Sequence, residues 1–585
     1  MNTLISIEDN ATCKMANPFA QTQVHASTVL QLCRFYCQEQ NITVPDNFFI
    51  TTGVETDVIL PLCESHLIPR LCENLHIAFL NSKYQFHGKK VVRIKSKENL
   101  MERGAVYTKG FITDFIVKNT LKHFRKPLAA TFKILDFACG TGRFYESVVW
   151  TLRDKFGIDV EKSICHHIHA FDVDPIAINI LRLKALSFIE NPTMEHMTAI
   201  IQNIIVKDGL ILPQWERVSN DIECYDAIVS NPPYLVLKPN KNKMDDTTVR
   251  NICNMVSYFR GCGLYSYSLE GMLNLYQLSI EAMLRMLKKG GELGVICPST
   301  LFADMSATRL RKYLLLQNKI HSICYFPEED KLFENVTQAT SVFYLKKGGK
   351  TEEIEIEEGK DSLKVSLSLV KMLFPKQMEI PAISPTEWTI LKKISHNGKL
   401  KNLLGIRNRR GELDLSLLKK YITRQPSPYR LVRGNMIGEK EIKDINGEYV
   451  SVDFLKAKGE DYIENDFNRR RLVCQQISNM GCGKRLKFVF CEKSDILGNS
   501  CNYISGDPIT LSRLFLVLNS SILNWRFKVT SSNNHINNYE LDELPILDLE
   551  TIDPNFKYNS QEELDQYVGA QYGLEPQEIS YIATR

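Results

Sequence analysis

The residues Asn231-Pro232-Pro233-Tyr234 bring two hydrogen-bond acceptors next to an aromatic ring. The Asn231 amide carbonyl is one acceptor. The carbonyl of Pro232 is the other, on a residue with no N–H to compete for it. Two acceptors converging beside a flat π surface suit a planar amine, such as the exocyclic NH2 of adenine. The alternative is a plain β-turn, because Asn-Pro and Pro-Pro are common turn dipeptides. The apolar run Tyr225 to Val229 reads as a buried strand of the parallel-sheet kind. Successive prolines cannot stay in a ladder, so the chain must leave the sheet at Asn231, at the strand's C-terminal end. In open α/β sheets, ligands sit at that end.

Three strand-like stretches upstream end in acids. Lys133-Ile134-Leu135-Asp136-Phe137-Ala138-Cys139-Gly140-Thr141-Gly142-Arg143-Phe144 reads as strand, acid, glycine-rich turn and helix. The glycines let backbone approach a ligand, and the helix start adds oriented N–H groups. The spacing G-x-G is neither the dinucleotide fingerprint nor a phosphate loop. An acid just before the glycines repels phosphate and favours a cationic ligand, which fits S-adenosylmethionine. Asp172 closes the strand Ile168 to Phe171, at the position that holds ribose hydroxyls in α/β nucleotide sites. Asp174 fits an N-cap better. Asp208 follows the strand Ile204 to Val206 and reads either as a ligand for an adenine amine or as a loop acid. Thr108, before the helix-like stretch Phe111 to Leu121, is by itself an N-cap signal.

These pieces need a doubly wound sheet to hold them, and the composition allows one. The 585 residues predict several domains, and 44% hydrophobic with 24% charged content is ordinary for a globular protein. The start MNTLISIEDNATCK lacks the basic and apolar regions of a signal peptide. No apolar run approaches the ~20 residues of a membrane helix. The sixteen cysteines form no CxxC pair and no zinc-spaced set with histidine, so no metal is expected and reduced, cytoplasmic thiols are. The net charge of +4 neither implies nor excludes nucleic acid.

Three strand–acid–helix units followed by strand–Asn-Pro-Pro-Tyr resemble the gamma-class N6-adenine DNA methyltransferases, those of type II restriction-modification systems and loosely the type IIS kind. The likeness covers roughly residues 101–347. It continues through Asn274-Leu275-Tyr276, which opens a helix, the turn and strand Lys289 to Pro298, and Leu332-Phe333-Glu334-Asn335-Val336 ahead of a strand Ala339 to Leu345. The resemblance implies a Rossmann-like S-adenosylmethionine-dependent α/β domain at residues 101–350. Ahead of it, the apolar face Val29, Leu32, Cys33, Phe35 and Tyr36 and a second candidate helix from Leu67 to Leu80 read as an N-terminal helical extension at 1–100. The acidic run Thr351 to Asp361 reads as a hairpin or a domain junction within a linker at 351–385. The resemblance further implies a C-terminal mixed α+β DNA target-recognition domain at 386–585, whose tail, Leu564 to Ile582, looks like a short helix pair. It implies transfer of a methyl group to adenine N6 by base flipping, with Asn231, Pro232, Pro233, Tyr234 and Phe333 around the extruded base. Asp136, Ala138, Gly140 and Gly142 would serve the methionine end of the cofactor, Thr108 its carboxylate, Asp172 its ribose and Asp208 its adenine. Two departures are Lys109, where the family usually has proline, and Cys139 inside the glycine turn. A core phenylalanine remains the other reading of Phe333.

Candidate DNA contacts fall in two places. Lys238, Lys241, Lys243, Arg250 and Arg260 lie in the polar segment between Tyr234 and Asn274, which is either a loop that closes on DNA or a solvated one. Lys401, Arg407, Arg409 and Arg410, then Arg469, Arg470 and Arg471, then Lys484, Arg485 and Lys487 form three basic clusters with amides and aromatics among them. The expected partners are double-stranded DNA and a separately encoded cognate restriction endonuclease with no physical complex; no membrane is expected. Protein-glutamine and RNA adenine methyltransferases share the Asn-Pro-Pro-Tyr chemistry and are the nearest alternative. A catalytically silent DNA-specificity protein is the second.

Overall fold

The structure is a computed structural model. It describes residues 18–52, 64–87, 90–95, 108–211, 223–240, 244–326, 339–359, 361–445, 447–479, 481–531 and 534–585. Lys241, Lys243 and Phe333 lie outside the described residues. The chain divides into two compact units, Met1–Met378 and Glu379–Arg585.

The first unit is built on the predicted strands. β3 (Ile134–Phe137), β4 (Ile168–Asp172), β5 (Ile204–Val206) and β6 (Tyr225–Ser230) pair in parallel. β6 also pairs in parallel with β7 (Leu287–Pro298), and β9 (Thr340–Lys346) runs antiparallel between β7 and β8 (Lys319–Phe326). The helices between them are α3 (Gly110–Thr120), α4 (Arg143–Thr151), α5 (Pro175–Ser187), α6 (Met194–Asn203), α7 (Asp246–Gly261), α8 (Leu275–Met286) and α9 (Thr308–Gln317). These strands lie in the order 8-9-7-6-3-4-5. From β3 the sheet grows one way through β4 and the other way through β6, so the switch point lies between β3 and β6. The crevice for a ligand opens there, beyond the strands' carboxyl ends. The run Ala227 to Ser230 and the whole of β3 are buried on both faces, which is why they read as continuous apolar runs.

The segment expected to be a linker, 351–385, is corrected. β10 (Glu353–Glu358) and β11 (Asp361–Ser366) form an antiparallel hairpin, and β10 pairs in parallel with β8, so the hairpin extends the sheet. Ile354 and Ile356 are fully buried on it. The acidic residues that alternate with them give β10 one buried face and one more exposed face, while β11 forms the edge of the sheet.

The N-terminal extension shares the main core. α1 (Pro18–Glu39) and α2 (Ile68–Leu80) contribute Val29, Cys33, Ile68 and Cys72 to the cluster that holds Ile134, Val148 and Ile180. A hairpin of β1 (Ser82–His87) and β2 (Lys90–Lys95) follows. Two polar residues on α5 clasp the extension. Asn179 exchanges both amide hydrogen bonds with the backbone of Ile50 at 2.8 Å, and Arg182 donates to Phe48 O at 2.7 Å.

Where β4 passes Tyr225, the His169 ring meets that ring edge-on at 5.5 Å. Burial first, then Lys133, pushes its imidazole down to about 4. The unfolded chain therefore binds a proton that the folded unit rejects between about pH 6.5 and 4. His169 costs no stability above about 6.5 and withdraws about 3 kcal/mol as pH falls through that window. Thermal unfolding across pH 4–7 should show a steeper acid loss in the wild type than in His169→Gln; equal slopes would refute this.

The second unit is mixed α and β. One four-stranded antiparallel sheet has the order Arg407–Arg410, Cys501–Ser505, Arg471–Gln475, Val489–Cys491. A second has the order Ile422–Thr423, Tyr449–Val450, Tyr429–Val432, Asp495–Leu497, with its last pair parallel. Helices Pro508–Leu518, Ser521–Thr530, Gln561–Gln571 and Pro576–Ala583 complete it. The last two are the helix pair legible in the tail. Helix Pro385–Ile394 begins with a capping box between Ser384 and Glu387, and Glu387 also accepts from Trp525 Nε1 at 3.0 Å.

Candidate functional site

A cavity of about 710 Å³ opens at the switch point of the first unit. Its lining contains Thr108, Ala138, Gly140, Asp172, Asp208, Asn231 and Pro233, all singled out by the sequence. The glycine turn is wound tightly, with positive φ at Ala138 (56°), Gly140 (51°) and Gly142 (87°). At Ala138 this conformation costs roughly 1–2 kcal/mol, which the surrounding turn must hold. Gly142 lies behind the cavity wall, and a Cβ there would collide with Leu181 of α5. Gly142→Ala therefore adds backbone strain to overpacking, together about 2–4 kcal/mol. A thermal melt of that variant checks the figure, and a shift near zero would contradict the reading.

Asp172 organises the turn. Its Oδ2 accepts from Gly140 N and its Oδ1 from Asp174 N, both at 2.9 Å. Burial pushes its carboxyl above the usual aspartate range. Asp208 also lines the cavity; its Oδ1 accepts from Leu210 N at 2.9 Å, and burial raises it too. Asp136, at the end of β3, is not among the residues that line the cavity; its Oδ2 accepts from Tyr145 N at 2.9 Å in the first turn of α4. Burial pushes it well above the aspartate range. It braces the glycine turn from behind. Cys139 faces the cavity, yet burial raises its thiol well above the ordinary range, so it is not a reactive thiolate.

Asn231 stands at the end of β6. Its Nδ2 donates to Thr108 Oγ1 at 2.9 Å. With the amino end on Thr108, the carbonyl end is turned away from that hydroxyl. Thr108, expected at a cofactor carboxylate, lines the cavity and accepts this bond from Asn231. Pro232 is buried. The Tyr234 ring meets Tyr276 edge-on at 6.4 Å, and burial pushes its phenol well above the ordinary range. Part of the Tyr234 residue stays accessible.

The segment after Tyr234 is more ordered than a loop. Leu237 N donates to Leu273 O at 2.8 Å and Leu275 N to Leu235 O at 2.9 Å, with a bridge between Val236 and Asn274. The excursion is closed at its base and carries α7, capped by Asp245. Lys238 and Arg250 are exposed on it, and Arg260 donates to Gly271 O at 2.9 Å.

Several lining residues carried no motif. Phe137 and Phe171 pack edge to face at 5.0 Å, and a Cβ on Gly209 would sit 2.5 Å from both rings. Glycine at 209 therefore lets the chain run flat against two aromatics, a signal only a conserved lone glycine could have given. Lys207 lies 5.9 Å from the Phe171 ring centre. From the extension, Gln23, Thr52, His76 and Leu80 complete the wall, and His76 Nε2 lies 3.7 Å from Asp174 Oδ2. The lining suits a cationic ligand with hydroxyl and amine donors: three aspartates, 172, 174 and 208, meet apolar walls, and no phosphate loop is present. Among the described residues no group of His, Cys, Asp and Glu is placed to hold a metal ion, and no helix is long and apolar enough to cross a membrane.

Two basic residues expected at DNA are corrected. Arg471 is fully buried, with Nη1 3.2 Å from Glu412 and Nη2 donating to Asp495 O at 2.6 Å. Arg485 is 1% exposed and lies over the Phe527 ring at 5.0 Å. Both serve the core of the second unit and cannot reach a solvated ligand. Arg407 forms a bidentate pair with Asp461 at 2.8 and 2.9 Å, and Arg409 lies 3.5 Å from Asp466. Lys484 donates to Gln561 at 2.8 Å. Arg410, Arg469 and Arg470 are exposed; Arg410 donates to Gln476 and Arg470 covers Phe490.

Comparison with known proteins places this geometry among relatives. Residues 166–333 match the family described as Eco57I restriction-modification methylase. The chain is similar to the type II restriction enzyme and methyltransferase RM.Eco57I of Escherichia coli, 24% identical over 438 residues, covering 65% of this chain and 41% of that protein. It is similar to the type II methyltransferase M.HincII of Haemophilus influenzae, 31% identical over 162 residues, 27% of this chain and 29% of that one. It spans less than half the length of the curated relatives it matches. Among solved structures, the type IIL restriction-modification enzyme MmeI, in complex with DNA, aligns over 100% of this chain and 94% of its own, at 12% identity and a TM-score of 0.48. The type IIG restriction endonuclease BpuSI aligns over 100% and 79%, at 13% identity and 0.46.

Proposed function

We propose that this chain, whose residues 166–333 match the Eco57I restriction-modification methylase family, is a site-specific DNA methyltransferase that moves the methyl group of S-adenosylmethionine to adenine N6 in duplex DNA. One observation carries the reading: Asn231, held by Thr108, lines the same cavity as the glycine turn, Asp172 and Asp208. The Asn231 amide, proposed here as an acceptor for the amine, thus shares the cavity proposed for a cationic nucleoside.

The target adenine must leave the helix stack, at a cost of a few kcal/mol. Stacking on Tyr234 offsets part of that, and Phe333 is proposed as a second aromatic. The Asn231 Oδ1 and the Pro232 carbonyl accept the two N6 hydrogens, which draws the nitrogen toward sp3 geometry and localises its lone pair. Asp172 holds the cofactor's ribose and Asp208 its adenine amine, with Ala138 and Gly140 along the methionine end. The bound cofactor supplies a methyl group on a cationic sulfur. No general base is needed before attack, because the nitrogen becomes acidic only once methylated.

The second unit is proposed to read the DNA target, with Arg410, Arg469 and Arg470 as its exposed contacts and Lys238 and Arg250 contacting DNA from the excursion. Modification would protect host DNA from a separately encoded endonuclease. RM.Eco57I, by its name, is both a restriction enzyme and a methyltransferase.

The test is a transfer assay with labelled S-adenosylmethionine and unmethylated DNA, followed by digestion to nucleosides. Label in N6-methyladenine is expected. Label in protein or RNA instead would move the same chemistry to another acceptor and overturn the DNA reading.

A further inference from the structure

A buried ion cluster joins the N-terminal extension to the glycine turn. Glu73 of α2 has a side chain 5% exposed and lies 2.6 Å from Arg143 Nε and 2.9 Å from Lys184 Nζ. Thr141, between the two glycines of the turn, donates its hydroxyl to the same carboxylate at 3.1 Å. Burial works against the Glu73 charge, and Lys184 and Arg143 more than reverse this, so the group stays an anion. Lys184 is nearly buried, whereas the Arg143 side chain is 39% exposed and lines the cavity. Arg143 is thus a cation at the wall of a cavity proposed to hold a cation, and among the described residues its ion-pair partner comes from 70 residues upstream. A loose guanidinium there would either repel a positive ligand or neutralise the aspartates that bind it.

We propose that Glu73 is a specificity-determining residue of the cofactor cavity, acting through Arg143: by holding that guanidinium it makes the cavity prefer the sulfonium cofactor over its demethylated product. The inference rests on the reading that the cavity takes S-adenosylmethionine. Cofactor and product differ at one sulfur, which is cationic in S-adenosylmethionine and a neutral thioether in S-adenosylhomocysteine. A change of charge in the wall is therefore read in the ratio of their affinities, whereas a change of shape lowers both together. The N-terminal extension then has a role in ligand choice as well as in packing.

The experiment is calorimetric titration of the full chain with each of the two ligands at low ionic strength, where exposed charges are least screened. Glu73→Gln should lower the preference for S-adenosylmethionine by roughly five- to tenfold, the scale of one unit charge in a partly solvated site. Arg143→Gln should move the ratio the other way. In the Arg143→Gln background, Glu73→Gln should change the ratio less than about twofold, because the group it acts through is gone. A ratio unchanged by Glu73→Gln, or changed equally in both backgrounds, would overturn the proposal and leave Glu73 a packing residue. Where Glu73→Gln does not fold, Arg143→Gln alone decides, and an unchanged ratio overturns the proposal. Wild-type protein that binds neither ligand would overturn the cofactor reading itself, an outcome distinct from the rest.

Discussion

Asn231→Ala lowers methyl transfer by about a thousandfold or more, with S-adenosylmethionine binding changed less than about threefold. The estimate comes from the cost of deleting one preorganised hydrogen-bonding group aimed at a reacting centre, roughly 10²–10³ in rate. Here the same deletion removes the acceptor that localises the nucleophile's lone pair, so the upper end applies. Cofactor binding is spared because Asn231 touches the cavity at its β6 end, while Asp172 and Asp208 stand on β4 and after β5. Thr108 loses its partner on Asn231, and its hydroxyl can turn to water at little cost. Single-turnover transfer alongside calorimetry separates the two effects. Activity within tenfold of wild type would remove Asn231 from the chemistry. A parallel collapse of binding would make it a cofactor residue.

Asp172→Ala lowers affinity for S-adenosylmethionine by about 30- to 100-fold. Two charge-assisted bonds, from Gly140 N and Asp174 N, lose their acceptor along with the proposed ribose contact. The turn that presents Gly140 then loses one of its ties to β4 and keeps the bond from Cys139 N to Phe171 O at 3.1 Å, so its geometry loosens as a ligand group is lost. The wild type carries a related pH signature. Because burial raises the Asp172 and Asp208 carboxyls, each takes up a proton at a higher pH than a free aspartate. Proton uptake removes the acceptor charge, so affinity falls as pH falls, beginning above the usual aspartate range. Calorimetry against pH should show this fall in the wild type and a weaker one in Asp172→Asn. A flat wild-type profile would mean that these carboxylates do not carry the cofactor.

Legibility in the sequence follows the range of the interaction. The Asn-Pro-Pro-Tyr corner, the glycine turn and the acid after β4 are local patterns, and each lies where its strand had to end. Helix bounds were close for the same reason: Asn274 caps α8 and Asp174 caps α5, and both caps are residue types that announce themselves. Contacts between distant residues were not legible. Arg471 and Arg485 look like neighbours in basic clusters, yet Arg471 meets Glu412, 59 residues away, inside the second unit. A one-dimensional charge cluster cannot tell a solvated face from a buried pair. The extension likewise gave apolar helix faces but no hint that Glu73 reaches Arg143 or that Asn179 clasps Ile50. Nor could the strand alternation say that the Asp136 carboxylate accepts from Tyr145 N. The acidic run after residue 350 is legible as a hairpin or a junction, whereas its pairing with β8, which makes it part of the sheet, is a contact between distant residues.

The excursion between Leu237 and Leu273 is fastened at both ends by backbone bonds beside the Asn-Pro-Pro-Tyr corner. It is anchored within as well: Tyr265 Oη donates to Leu210 O at 2.7 Å, Ser266 N and Ser268 N donate to Glu281 of α8, and Met255 of α7 lines the cavity. A change inside it is therefore felt at the cavity. Lengthening a closed loop costs only slowly rising entropy, about 0.6 kcal/mol per doubling, so length can be added cheaply ahead of Asp245, before the anchored part begins. An engineer grafting a foreign segment there would have to keep α7 and the residues at 265–268 that hold it to the core.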